Sequence, residues 1–125
     1  TLALDRIKYI KNSSNHYVEN DLFDARSYFD QVIGVSIPED RKVWTIKFKV
    51  KASQAPYIKT KQIHHTQKII KEYINGNLLI QFKAMQNFEL HSLLLGFGDT
   101  IEIIKPASLR KNIATILQKA AALYR

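Results

Sequence analysis

The chain has 125 residues, of which 46% are hydrophobic, so it can build one compact core with little left for a second. It contains no cysteine, which excludes disulfides and thiolate metal sites and favours a reducing compartment, and we expect a cytoplasmic protein. No apolar run reaches the roughly 18 residues of a membrane span, so no membrane partner is expected. Lysine and arginine number 19 against 11 acidic residues, and the net charge of +8 fits either a polyanionic partner or a solvated basic surface.

The first forty residues predict a strand and a helix ahead of the main domain. Leu2–Ile10 alternates in polarity and ends in a polar cluster, which predicts a strand and a loop. Because the chain begins inside this pattern and without Met, we expect it to be part of something longer. Apolar residues at helical spacing between Asp24 and Gly34 predict a short amphipathic helix, and Pro38–Arg41 predicts a turn. We therefore divide the chain into residues 1–40 and 41–125.

The main domain opens on the clearest strand of the sequence, Val43–Val50. Its residues alternate with a period of two, which is typical of a strand with one buried face. The predicted buried face carries Trp44, Ile46, Phe48 and Val50, and the other face carries Thr45, Lys47 and Lys49.

A short helix and a hairpin follow. Ala52–Lys61 predicts a helix with Ser53 as its N-cap and Pro56 in its first turn. His65–Ile74 is rich in β-formers, and Leu78–Met85 alternates with a period of two as Val43–Val50 does. The Asn75–Gly76 pair between them predicts a hairpin closed by a type I′ turn.

The last third predicts helix, strand, helix. Asn87 is the predicted N-cap of a helix that ends at Gly96 or Gly98, and Thr100–Lys105 is the fourth strand. Ser108 is the predicted N-cap of a long C-terminal helix. Its apolar stripe has to pack on this domain or on a partner, and it consists of Leu109, Ile113, Ile116, Leu117, Ala120, and Leu123 or Tyr124.

The order of these elements predicts an α+β fold of the ferredoxin-like βαββαβ class, with an added N-terminal strand and helix and an added C-terminal helix. Both crossover helices would cover one face of a four-stranded antiparallel sheet. The open face is then the predicted binding surface, and it would present Thr45, Lys47, Lys49, Gln81 and Lys83.

Motifs of catalytic chemistry are absent from the sequence, which has no nucleophile elbow, phosphate-cradling glycine loop or His-Glu-x-x-His pair. We therefore expect a binding module that is not an enzyme and needs no cofactor. His64 and His65 would point to opposite faces of a strand, so no metal site is expected. Phe48 and Phe82 fall on the predicted core face, which favours buried aromatics over a base-stacking platform.

Five segments in order carry a family resemblance: Leu4–Ile7 (LDRI), Phe29–Val35, His65–Lys68, Leu93–Pro106 and Leu109–Tyr124. Together they resemble the C-terminal part of bacterial WYL-domain transcriptional regulators, namely the end of the WYL domain and the extension called WCX. Thr66 stands where the family usually has proline, and His64 stands where tryptophan is common.

The resemblance implies an effector-response and dimerisation domain of a regulator. In this family a winged helix-turn-helix binds DNA, a WYL domain senses ligands, and a ferredoxin-like WCX helps to dimerise and respond. It implies a homodimer, DNA bound through a helix-turn-helix domain not contained in these 125 residues, and a nucleotide or oligonucleotide as effector. The alternatives are a stand-alone nucleic-acid-binding module that uses the sheet, and a purely dimer-forming domain.

We expect Arg6 to face the WYL pocket, although a salt bridge on the strand surface would explain it equally well. Basic residues of the main domain would bind a phosphate-bearing ligand or a neighbouring subunit. The predicted ligand-binding residues are Arg6, Lys47, Lys49, Lys61, His65, Gln67 and Lys68.

Overall fold

The computed structural model describes residues 3–125 and contains a four-stranded antiparallel sheet and three α-helices. The predicted α+β class is confirmed. The strands lie in the order β2-β3-β1-β4, and every neighbouring pair is antiparallel. The strands are β1 (Val43–Val50), β2 (Lys68–Glu72), β3 (Leu78–Met85) and β4 (Ile101–Lys105), and the helices are α1 (Ala55–Thr60), α2 (Phe88–Leu95) and α3 (Ala107–Ala122).

The central pair of strands forms as the alternation predicts. In the antiparallel register of β1 and β3, Ile46 lies opposite Phe82, and Phe48 lies opposite Ile80. All four side chains are fully buried, and the rings of Phe48 and Phe82 meet edge to face with centroids 5.9 Å apart. Burying each such side chain stabilises the fold by about 1.5–3 kcal/mol.

All three helices pack on this apolar face. The core combines the sheet residues with buried side chains from each helix, which are Ala55 and Ile58 of α1, Leu90 and Leu94 of α2, and Leu109 and Ile113 of α3. The opposite face of the sheet is left without a helix over it in the part of the chain that the structure describes.

The helix ends follow the sequence in part. Asn87 caps α2 as predicted, because its Oδ1 accepts a hydrogen bond of 2.8 Å from the Leu90 N–H. Past the C-terminal end of α2, Gly98 has φ +57 and takes the left-handed conformation, whereas Gly96 stays right-handed with φ −62.

The predicted caps of the other two helices are wrong. Helix α1 begins after Gln54, not Ser53, and Pro56 lies in its first turn as expected. Helix α3 begins directly after Pro106, not at Ser108, because the extended Pro106 offers its carbonyl to the Arg110 N–H at 3.1 Å.

Arg110 also closes the outer edge of the sheet. Its Nη1 lies 2.8 Å from Glu102 Oε1 and donates to the carbonyl of Ile103 in β4. An outward-facing backbone acceptor of this edge strand is therefore satisfied by a side chain of α3.

The β2–β3 hairpin forms, but its loop is one residue longer than predicted. The Tyr73 N–H donates to the Asn77 carbonyl at 2.8 Å, and the Gly76 N–H donates to the Tyr73 carbonyl at 2.9 Å. Gly76 has φ +85, whereas Asn75 does not have a positive φ, so the predicted type I′ turn is wrong. The longer loop lets the Asn77 side chain accept from the Ala52 N–H at 2.9 Å.

The N-terminal segment does not form the predicted strand. Leu2 lies outside the described residues, Leu4–Arg6 is a short 3-10 turn, and the following residues to Asn20 have no regular structure and are exposed. A strand needs a neighbour for its backbone groups, and the described part of the chain offers none to this segment.

The predicted helix between Asp24 and Gly34 is a series of turns. One helical bond from Tyr28 N–H to Asp24 O is followed by tighter i to i−3 bonds, and the chain then joins the main domain. There Gln31 O accepts from the Met85 N–H at 2.7 Å and Val32 is buried. The contact of this segment with the end of β3 therefore outweighs the tendency of its apolar spacing to form a helix. The predicted turn at Pro38–Arg41 is present.

Candidate anion-binding face

The open face of the sheet aligns basic residues from three of its four strands in one row. Lys68 of β2 lies opposite Gln81 of β3, Gln81 opposite Lys47 of β1, and Lys47 opposite Lys105 of β4. Residues opposite each other in antiparallel strands point to the same face, and four strands span about 14 Å. Three lysines thus share the open face at neighbouring positions across the sheet.

A second row across all four strands and a pair of residues on the two central strands extend this pattern. Lys71, Leu79, Lys49 and Glu102 lie opposite one another in the same strand order, and Thr45 lies opposite Lys83. We call the resulting surface the basic sheet face, and it consists of Lys47, Lys49, Lys68, Lys71, Lys83 and Lys105.

The positive charge of the basic sheet face is poorly compensated. Glu102 is the acidic residue in these rows, and its carboxylate is already paired with Arg110. The other ion pairs among residues 3–125 join Lys51 to Asp99 and Lys59 to Glu72, none of which belongs to the face. Like charges directly opposite each other, such as Lys47 and Lys105, are destabilising. A bound anion would relieve this repulsion.

Base stacking finds little support on this face. Phe48 and Phe82 are fully buried on the other side of the sheet, as the sequence predicts. Tyr73 follows β2, with the Lys71 ammonium 4.7 Å from its ring centroid. The face can therefore hold phosphate groups by charge, whereas reading of base identity would need hydrogen bonds or stacking that lysines supply poorly.

The structure brings three of the predicted ligand-binding residues together, namely Lys47, Lys49 and Lys68. It adds Lys71 and Lys105, which were not predicted on this face, and Lys83, which was predicted on the open binding surface but not among the ligand-binding residues. The pairing register shifts at Ile70 in β2 and at Ile104 in β4. Each shift changes the alternation of side chains along its strand. An uninterrupted period of two would put Lys68 and Lys71 on opposite faces.

The other four predicted residues lie elsewhere. Arg6 is exposed in the N-terminal 3-10 turn, and Lys61 follows α1 with its ammonium 5.8 Å from the Tyr57 ring. His65 is exposed beside His64. Gln67 is buried, where its amide donates to Ile58 O at 3.1 Å and accepts from Ile63 N–H at 2.9 Å. These positions keep their ligand-binding roles as predictions outside the basic sheet face.

His64 joins the N-terminal segment to the sheet. Its Nε2 lies 2.6 Å from the Asp30 carbonyl, so Nε2 carries the proton, and Nδ1 is 2.8 Å from Thr66 Oγ1. Thr66 Oγ1 in turn accepts from the N–H of Lys83 at 2.9 Å. The expected opposite orientation of His64 and His65 is wrong, because both lie in a loop and their rings lie beside each other, tilted by 35° with centroids 4.2 Å apart. Burial lowers the pKa of His64, and its neutral form is favoured in the fold.

This environment predicts a loss of stability in mild acid. The folded pKa of His64 lies below its unfolded value, so the unfolded chain gains the proton first, and the free energy of unfolding falls as pH drops below about 6.5. Burial lowers the pKa of His91 as well, with the same sign. Urea unfolding at several pH values between about 7.5 and 5 should show this fall, and His64→Gln should reduce it. The matched variant His16→Gln, at an exposed position, should keep the wild-type slope. An unchanged slope in His64→Gln would contradict this role.

A second set of hydrogen bonds, which we call the clamp, holds residues 33–36 to the start of α2. The Asn87 amide donates to the carbonyls of Ile33 and Ser36, both at 2.8 Å. Glu89 Oε1 accepts from the Ser36 hydroxyl at 2.7 Å and from the N–H groups of Ser36 and Val35 at 3.1 and 3.3 Å. The hydroxyl and the N–H groups favour the carboxylate, which lowers the pKa of Glu89.

Comparison with known protein families shows to which family the chain belongs. The family model of the WCX domain matches residues 42–121, which is more than half of the chain. The chain belongs to the WCX domain family. The match covers all four strands, α1 and α2, and α3 to within one residue of its end.

A comparison with curated proteins gave no match to this chain. In the part of the chain that the structure describes, no helix is long and apolar enough to cross a membrane. Among the same residues, no cluster of three or more His, Cys, Asp or Glu is placed to hold a metal ion.

Proposed function

We propose that this WCX domain is the effector-response and dimerisation domain of a DNA-binding transcriptional regulator in the cytoplasm. It binds a nucleotide or oligonucleotide effector through the basic sheet face and catalyses no reaction. WCX domains are associated with WYL-domain regulators, and DNA would be bound by a helix-turn-helix domain that acts together with this chain.

The ferredoxin-like class is part of this proposal. The elements run β1, α1, β2, β3, α2, β4, and the strand order read from β4 is β4-β1-β3-β2. Both crossover helices pack on one face, which supports the split βαβ arrangement and explains why the basic sheet face stays open.

The alignment of Lys68, Lys47 and Lys105 across the sheet is the observation that carries the effector assignment. Phosphates a few ångströms apart along a nucleotide chain would contact several ammonium groups at once. The binding energy would come from charge neutralisation and counterion release, so recognition would be tolerant of sequence.

A chain of hydrogen bonds from the basic sheet face to the N-terminal segment supports the proposed response to an effector. Lys83 lies on the basic sheet face, its backbone N–H donates to Thr66, and Thr66 contacts His64, which holds the Asp30 carbonyl. A ligand that shifts the strand end at Lys83 would therefore act on the segment that leads out of the main domain. This is a physical connection between the two, and its coupling energy is open to measurement.

Titration with a fluorescent single-stranded oligothymidylate tests the proposal. The variant with Lys47→Ala, Lys49→Ala and Lys68→Ala should bind about tenfold more weakly or worse at low salt. The slope of log affinity against log salt should fall by about 2, since each lysine contributes about 0.7 on a single strand. A nucleoside triphosphate used as competitor should distinguish a nucleotide site from an oligonucleotide site.

The matched control removes the same charge elsewhere, with Lys8→Ala, Lys11→Ala and Lys111→Ala, all at exposed positions off the sheet. It should keep the wild-type salt slope. Equal slopes for both triple variants would remove the basic sheet face as the binding surface.

The open basic sheet face also favours a second candidate, a stand-alone nucleic-acid-binding module. This candidate predicts micromolar binding of oligonucleotides by the 125-residue chain alone. If the chain alone gives no shift at low salt while the complete regulator binds, the effector-response function holds and the stand-alone module is excluded.

A further inference from the structure

The distal half of α3 leaves an apolar surface uncovered. Leu109, Ile113, Ile116, Ala120 and Leu123 follow one another at intervals of four, three, four and three residues, which is the spacing of a continuous helix-packing stripe. Only the first two are buried, and all residues from Ala114 to Arg125 are exposed. The uncovered part of the stripe consists of Ile116, Leu117, Ala120, Leu123 and Tyr124.

This half of α3 receives little support from its own domain. Helices shorter than about 12–15 residues are marginal in water when nothing packs on them. The exposed fractions of Leu123 and Tyr124 are 84% and 91%, so the apolar side of the last turns faces solvent in a single copy. A partner surface that buries this stripe would stabilise the helix.

The charge of this region indicates the character of the partner. From Ile103 to Arg125 the chain has five basic residues and no acidic side chain, and in the distal half these are Lys119 and Arg125. Pairing of α3 with α3 of a second copy would bring like charges together. An apolar segment with acidic side chains fits instead.

The chain itself contains such a segment. Residues 17–24 carry Glu19, Asp21 and Asp24 and no basic residue. The apolar side chains of Tyr17, Val18 and Leu22 are each at least 85% exposed. We call this stretch the acidic connector. In one copy neither it nor the distal half of α3 is covered.

We propose that the acidic connector of one copy docks on the distal half of α3 of a second copy. A two-fold axis makes both contacts at once, so the dimer buries two apolar stripes and pairs acidic with basic residues twice. This inference rests on the dimerisation part of the proposed function, for which it names the contacting surfaces.

Charge reversal tests the docking in the wild-type chain by sedimentation over a range of concentrations at low salt. One variant, Lys119→Glu with Arg125→Glu, makes the helix acidic, and the other, Glu19→Lys with Asp21→Lys, makes the connector basic. Each alone should raise the dimer dissociation constant by about tenfold or more, because both contacts become repulsive. An equimolar mixture of the two should return to the wild-type dissociation constant, since both contacts in the mixed dimer are again attractive.

The control variant, Lys8→Glu with Lys111→Glu, has the same net charge as the helix variant but is changed away from the two surfaces, and it should dimerise like wild type. A mixture that stays dissociated would overturn the proposal, as would a helix variant that associates more tightly with wild type than wild type does with itself. A wild-type dimer that ignores both reversals would overturn it while leaving dimerisation intact. A strict monomer at all concentrations would overturn this inference together with the dimerisation part of the proposed function.

Discussion

Replacing Phe82 by Ala should lower the free energy of unfolding by about 3–5 kcal/mol, because the ring is fully buried and its neighbours cannot close the cavity. It packs edge to face on Phe48 at 5.9 Å and stacks on His64 at 6.1 Å. A domain of this size has a total stability of about 5–15 kcal/mol, so much of it would be lost. The urea midpoint, with an unchanged slope, measures the effect.

Phe88 provides the matched control for this prediction. It is also a phenylalanine, at the first position of α2, but it is 79% exposed. Phe88→Ala should change stability by about 0.5 kcal/mol or less. Similar losses in the two variants would show that the central β1–β3 pair is not the core on which the fold depends.

Replacing Gly34 by Ala should cost about 2 kcal/mol or more, for two separate reasons. The residue has φ +73, a conformation that costs an L-residue with a side chain roughly 1–2 kcal/mol. An added Cβ would also lie 2.7 Å from Glu89 Cγ. Glu89 would have to move away from Ser36 and Val35, and the clamp on the N-terminal segment would loosen.

Gly98→Ala separates the two contributions. Gly98 has φ +57, but an added Cβ would meet no atom within 4 Å, so this variant shows the backbone cost alone. Thermal or urea unfolding should therefore show a larger loss for Gly34→Ala, and hydrogen exchange should show weaker protection of the Val35 and Ser36 amides. Equal losses would mean that the contact with Glu89 is easily relieved.

The elements that the sequence predicted well are those whose stabilising contacts are local or periodic. β1 and β3 alternate without interruption, and the cap of α2 needs only Asn87 and a backbone N–H three residues away. Such patterns are visible in a single sequence because the residues that make the contacts are spaced by the element itself.

The predictions that failed depended on contacts with distant parts of the chain. The segment between Asp24 and Gly34 has helical spacing, but hydrogen bonds that Met85 and Asn87 donate to its backbone carbonyls hold it as turns. The irregularities in β2 and β4 have no local signature, and they decide that Lys71 and Lys105 join the basic sheet face. A candidate site built from register can therefore be only partly recognised before the register is known.

The two edges of the sheet differ in a way that bears on aggregation. On β4 the guanidinium of Arg110 covers an outward carbonyl, whereas β2 is exposed along its whole length and carries Ile69 and Ile70. Exposed apolar edges invite pairing with other chains, and natural proteins counter this with lysines and bulges. Lys68 and Lys71 beside the irregularity at Ile70 supply both. The lysines that make β2 part of the basic sheet face thus also disfavour the pairing of this edge with strands of other chains.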